Sequence, residues 1–184
     1  MIGSINGTLL ESSLDSCLVE TSSGVGYEIA IGTQSASRLF DQVGKQVFFY
    51  IYTVVREDTF DLYGFDTKAE KELFEKIISV SGVGPKSGLA VLSVGSLAEL
   101  RTALGTGDVD YLTTVPGIGK KSAQKIILEL QDKIDANDID PSRMSNRNKI
   151  NEVIEGLMSL GYTEREARTA VDSVDNEVTG TENK

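Results

Sequence analysis

Val80-Ser81-Gly82-Val83-Gly84-Pro85-Lys86-Ser87-Gly88-Leu89 returns thirty-five residues later as Val115-Pro116-Gly117-Ile118-Gly119-Lys120-Lys121-Ser122-Ala123-Gln124. Each copy sits between apolar helical segments, with Leu89–Leu92 following the first and Ile126–Leu130 the second. The repeating unit is helix, Gly-apolar-Gly hairpin, lysine, helix. Its glycines allow a positive φ in a tight turn and leave no side chain to hold a ligand off the backbone. Val83 and Ile118 are placed to bury themselves between the paired helices. The helix after each hairpin then opens with unpaired N–H groups and the positive end of its dipole outward, which suits an anion. Lys86 and Ser87 stand beside the first such site. Lys120, Lys121 and, one turn further on, Lys125 stand beside the second, where Lys125 is expected to reach the same DNA backbone. Phosphate oxygens satisfy such sites without touching base edges. DNA binding by Gly82, Val83, Gly84, Lys86, Ser87, Gly117, Ile118, Gly119, Lys120, Lys121 and Lys125 is therefore expected to be independent of sequence.

The copies are unequal. Pro85 suits a first helical turn but has no N–H to donate, whereas Lys120 at the matching place keeps its amide and adds charge. The second hairpin is thus expected to be the stronger phosphate anchor. One Gly-x-Gly alone fits an ordinary turn between helices; two, with Lys and Ser at matching offsets, form a stronger signal. Neither copy has the Gly-x-Gly-x-x-Gly of a dinucleotide loop after a strand, nor the spacing of a P-loop.

Upstream of the repeat, residues 1–64 read as β-structure. Ser16–Thr21, Gly26–Ile31 and Gln46–Val55 are rich in Val, Ile, Tyr, Phe and Thr and are separated by Gly-Ser breaks. Several short strands in that length suit a small barrel or sandwich, with the five-stranded OB type matching in size. Residues 34–41 suggest a short helical turn between strands. From Asp66 the period becomes helical, with Leu73, Phe74, Ile77 and Ile78 on one face, and helical patterns run to about Lys133. Residues 135–149 are polar, lack periodicity and contain Pro141, as expected of a linker spanning roughly 20 Å when flexible. Beyond it, Ile150, Val153, Ile154, Leu157, Met158 and Leu160 form an apolar stripe ended by Gly161. Thr163 with Glu166 makes a capping box that opens another helix.

Composition narrows the chemistry. The chain of 184 residues has no histidine and one cysteine, Cys17, so the common zinc sites, His-based triads and an internal disulfide cannot be built. Carboxylate or lysine catalysis stays open. No cofactor and no metal are expected. The net charge of −10 looks wrong for a DNA binder, but it is zoned. Residues 1–64 carry 8 acidic against 3 basic side chains, 65–134 carry 9 and 9, and 135–184 carry 11 and 6. The repeat lies in the one third without an acidic excess. An opening Met1-Ile2-Gly3-Ser4 without a basic, then apolar, run predicts no signal peptide and a cytoplasmic, non-membrane protein.

Several further strings carry a resemblance: Met1-Ile2-Gly3, Gly24-Val25-Gly26-Tyr27-Glu28, Val55-Arg56-Glu57-Asp58, Leu62-Tyr63-Gly64-Phe65, and the two hairpins themselves. Together they resemble the RuvA family, the Holliday-junction-binding subunits of a bacterial branch-migration complex. The match is near-verbatim in the two N-terminal thirds and one of layout in the last. The resemblance implies an α+β multidomain fold: an OB-fold barrel (1–64), a tandem helix-hairpin-helix domain (65–134), the linker (135–149) and a small three-helix, ubiquitin-associated-like domain (150–184). It implies a homotetramer, or two stacked as an octamer, that holds four-way junction DNA open and flat. It also implies docking to the RuvB hexameric ATPase motor, a place beside the RuvC resolvase in a larger complex, and no catalysis by this chain.

Taken alone, Glu57 and Asp58 read as a solvated acidic turn after the longest strand. The resemblance makes them an acidic pin, eight carboxylates gathered by fourfold symmetry where junction strands cross. In the C-terminal unit, Leu157, Leu160, Tyr162, Ala167 and Val171 are mostly expected to form a tiny core, with a leftover patch for the motor. Two other classes stay open on the residues: a nuclease using Glu57, Asp58 and Asp61 to hold Mg²⁺, and a general protein scaffold.

Overall fold

The computed structural model describes residues 1–134, 153, 154, 156–163, 166 and 170. Five strands, β1 (Ser4–Ser12), β2 (Ser16–Glu20), β3 (Gly26–Ala30), β4 (Gln46–Val55) and β5 (Phe60–Phe65), close into a barrel in the order β1-β2-β3-β5-β4. Every pairing is antiparallel except the short contact between β3 and β5. Helix α1 (Thr33–Leu39) links β3 to β4. This is the OB-type barrel. Alternation drives it: β4 turns Val47, Phe49, Ile51 and Thr53 inward and leaves the residues between them outside. Ile5, Leu9, Val19, Ile29 and Leu62 meet them from the other strands, and Leu39 of α1 joins the same cluster. Cys17 is buried here, and burial pushes its thiol up to about 12, so it stays protonated and unreactive.

The strand expectations stand with small changes at their ends. β2 and β3 each stop one residue early, at Glu20 and Ala30, while β4 spans Gln46–Val55 as the sequence suggests. The helical turn expected at 34–41 is α1, displaced to Thr33–Leu39.

An aromatic cluster centred on Phe74 joins the barrel to the helical part, and Gln34 Nε2 donates across the same seam to Gly95 O at 2.6 Å. Phe74, wholly buried on α2 (Lys68–Ile78), packs against Phe65 at 4.8 Å, edge-on to Tyr52 at 5.4 Å and stacked on Tyr63 at 5.7 Å between ring centroids. At the strand–helix junction Asp66 forms an ion pair with Arg38 and accepts a hydrogen bond from Ser35 Oγ at 3.0 Å. The Asp66 amide donates to Glu70 Oε2 at 2.9 Å, beside the Thr67–Glu70 capping box that starts α2.

Helices α3 (Pro85–Leu92), α4 (Leu97–Thr106), α5 (Val109–Thr113) and α6 (Lys120–Leu130) complete the helical part, followed by a 3₁₀ turn at Gln131–Lys133. One apolar cluster unites them, including Ile77, Val83, Val91, Leu100, Leu112, Ile118 and Ile126. No helix among the described residues is long and apolar enough to cross a membrane.

In the C-terminal unit Gly161 has φ +99°, and the Thr163–Glu166 box is formed, with Thr163 N donating to Glu166 Oε2 at 2.9 Å. Thr163 holds the Glu166 carboxyl below its ordinary range. Ile154 is buried and Leu157 half-buried, but Leu160 and Tyr162 are 77% and 55% exposed. Leu160 and Tyr162 thus stand outside the tiny core expected for most of the five apolar residues, on either side of the helix end at Gly161. Ala167, Val171 and the linker expected at 135–149 lie outside the described residues.

Truncating Phe74 to alanine removes the ring that three barrel aromatics share. Urea denaturation of Phe74→Ala is expected to show a loss of about 3–5 kcal/mol.

Candidate nucleic-acid interface

The two hairpins repeat in three dimensions as they do in sequence. In the first, Val80 N donates to Ile77 O at 3.2 Å, Val83 N to Val80 O at 3.0 Å and Gly88 N to Gly84 O at 2.9 Å. In the second, Val115 N donates to Leu112 O, Ile118 N to Val115 O and Ala123 N to Gly119 O at the same three distances, 3.2, 3.0 and 2.9 Å. Gly82 and Gly117 take φ of +91° and +84°, where a side chain is strained. Val83 and Ile118 are buried in the shared cluster, as their place in the motif requires.

The other glycine of each pair is more informative. Gly84 and Gly119 have ordinary extended backbones, with φ/ψ of −87°/170° and −83°/168°. A Cβ built on either meets no atom within 4 Å. Nothing inside the protein asks for glycine there, so the missing side chain leaves open space on the outer surface.

Both residues are N-caps, of α3 and α6, and neither helix has a side-chain cap. By contrast Thr67, Ser96 and Asp108 cap α2, α4 and α5 with side-chain acceptors. The first internal bonds of α3 and α6 are made by Gly88 and Ala123. The amides of Lys86 and Ser87 in one copy, and of Lys120, Lys121 and Ser122 in the other, therefore lack a helical acceptor. Lys86, Lys120 and Lys121 flank them and are all exposed, while Ser87 and Ser122 are half-buried. Charge-assisted hydrogen bonds contribute about 1.5–3 kcal/mol each, so one more amide and one more ammonium favour the second copy.

Lys125 lies against the first hairpin rather than over its own turn. Its Nζ donates to Ser81 O at 2.7 Å, crossing from α6 to the loop of the first hairpin, and lies 3.9 Å from Glu129. In the structure it ties one hairpin to the other, because α6 packs close enough to the first loop for a lysine to span the gap.

Glu57 and Asp58 occupy the tip of the β4–β5 hairpin, closed by Arg56 N donating to Thr59 O at 2.9 Å, and residues 55–61 are all exposed. Glu57, Asp58 and Asp61 do not converge into a metal-binding group, and no such group occurs among the described residues. The nuclease alternative thus finds no ligand set here.

Comparison with known proteins bears on these placements. Residues 1–64 match the model of the RuvA N-terminal domain, 74–132 that of the SAM-like helix-hairpin-helix tandem, and 148–183 that of the RuvA C-terminal domain. The Holliday junction branch migration complex subunit RuvA of Chloroflexus aurantiacus is 42% identical over 93% of this chain and 87% of its own length. The chain belongs to the RuvA family. Proteins of the same name from Clostridium perfringens, at 39% identity over 93% of this chain and 89% of their own, and from Delftia acidovorans, at 38% over 99% and 94%, span the chain as fully. The order of barrel, paired hairpins and C-terminal unit is thus that of the RuvA family.

The open N-caps give a direct test. An aspartate is a favoured N-cap and complements the helix dipole, so Gly119→Asp is expected to melt no lower than the native chain. The same carboxylate occupies the amides and repels phosphate, so DNA affinity measured by fluorescence anisotropy should fall by about tenfold or more.

Proposed function

We propose that this chain is the junction-binding subunit of a branch-migration complex. It grips four-way junction DNA by its phosphate backbones, holds the junction open and flat, and serves homologous recombination and DNA repair. The observation that carries this reading is the pair of matching hairpins, each presenting an uncapped helix N-terminus over a glycine with open space before it. Membership of the RuvA family supplies the junction as the DNA in question. The relatives' names assign those proteins to a branch-migration complex.

Within this reading the chain performs no catalysis itself. It assembles as a homotetramer, or as two stacked tetramers, in the cytoplasm. Glu57 and Asp58 act as the pin, repelling phosphates where strands cross so that the strands part instead of closing. The C-terminal unit docks on the RuvB motor, with the exposed Leu160 and Tyr162, the half-buried Leu157, and Ala167 and Val171 as its contact residues. RuvC joins the same assembly to resolve the junction.

A gel-shift series on four-way junction and linear duplex of the same sequence, with and without Mg²⁺, tests the core of this. The junction should bind more tightly, affinity should fall steeply with salt, and no cleavage should follow Mg²⁺ addition. Lys120→Ala with Lys121→Ala should weaken binding more than Lys86→Ala does. Equal or reversed losses would refute the inequality of the hairpins. Glu57→Gln with Asp58→Asn should bind the junction as tightly as the native chain, or more so, while strand separation at the crossover changes. A clear loss of affinity would remove the pin.

A further inference from the structure

We propose that Phe60, at the root of the acidic turn, receives the face of an unpaired nucleobase where junction strands part. The proposal rests on the junction-binding reading above.

The β4–β5 hairpin runs past the mouth of the barrel. Along β4 the inward positions Phe49, Ile51 and Thr53 are buried at 0, 1 and 8% exposure, and the next of the series, Val55, is 67% exposed. On β5, Leu62 is buried at 5% and the position before it on the same face, Phe60, is 56% exposed. Val55 and Phe60 are paired directly across the two strands. The face that fills the barrel thus continues into solvent as a two-residue apolar shelf. One turn of chain beyond it stand Glu57 and Asp58, and Asp61 follows on β5.

This arrangement selects among the surfaces that DNA can offer. A phosphate approaching the shelf meets the carboxylates of Glu57 and Asp58 at the tip and is repelled, while Asp61 and the cation Arg56 lie toward Tyr63 on the other face of the hairpin. The face of a base is uncharged and apolar, and stacks on an aromatic ring irrespective of its identity. Phenylalanine has no polar atom with which to read a base edge, so the contact is as indifferent to sequence as the hairpins are. An intact duplex keeps its base faces stacked against one another. Only a parted strand has one to give, so the shelf adds to junction binding and nothing to duplex binding.

The chain has no tryptophan, so Phe60→Trp introduces the sole indole at an exposed position that tolerates the larger ring. Saturating four-way junction should quench its emission by about half or more, as base stacking does, while saturating linear duplex leaves it unchanged. Abasic nucleotides at the crossover should restore the emission with binding retained. In parallel, Phe60→Ala, with an unchanged melting temperature, should lose about fivefold or more in junction affinity and none for duplex. Full emission in the bound junction overturns the proposal and leaves the junction-binding reading standing. An indole already blue-shifted without DNA, and unquenched by it, overturns it in favour of burial against a second copy. Failure of the native chain to prefer the junction at all removes the reading beneath.

Discussion

The placement of the acidic turn relative to the two Gly-x-Gly turns depends on where the ring of Phe74 is held. That ring belongs to the first helix of the first hairpin, yet its neighbours Tyr52, Tyr63 and Phe65 belong to the barrel. Barrel and helices therefore share one packed aromatic group, and they cannot rotate against each other without opening it. Asp66 reinforces the joint from the strand end through Arg38 and Ser35. An isolated ion pair at a partly exposed site contributes little, about 0–1 kcal/mol. The aromatic packing supplies the rigidity, and the ion pair adds a polar tie between α1 and the β5–α2 junction. The acidic hairpin and the two Gly-x-Gly turns are in this way fixed to one frame.

The division of charge follows from the same frame. Under the proposed function the barrel can be acidic because the turn it would present to DNA repels phosphate, and the helical part needs no basic excess because backbone amides would supply most of the grip. Three of the five helices from α2 to α6 use their own side chains to satisfy their N-termini. The two that do not are those that begin at the Gly-x-Gly turns. Helix α1 is also uncapped, at Gly32, but there a Cβ would strike Ser93 Oγ, whereas at Gly84 and Gly119 it meets nothing; missing cap and open space together set the hairpins apart.

The hairpins were legible in sequence because their signal is local: glycine spacing, a buried residue between the glycines, and an adjacent lysine all lie within ten residues. β4 was legible for a similar reason, being long and cleanly alternating. β1 was harder to see, since Gly7 stands at an inward position where a side chain would strike the backbone of Glu20, and its absence breaks the apolar alternation. β5 hides differently. Leu62, Tyr63, Gly64 and Phe65 are buried in succession because α2 covers the outer face, so no alternation survives. The joint at Asp66 pairs residues 28 apart, and Lys125 reaches a carbonyl 44 residues away. Neither can be read from local spacing; both are products of packing. Which apolar residues of the C-terminal unit stay outside its core, as Leu160 and Tyr162 do, was not legible either, since in so small a unit an apolar residue has little interior to enter.

Val83 and Ile118 bury themselves in a single cluster, and Lys125 spans from one hairpin to the other's loop. The distance between the two grips is consequently a property of the protein and not of whatever it holds. A backbone that bends freely can adjust to that fixed interval; a stiff one has to match it already. Under the proposed function the pair of hairpins is a caliper, set to discriminate shape while remaining blind to letters.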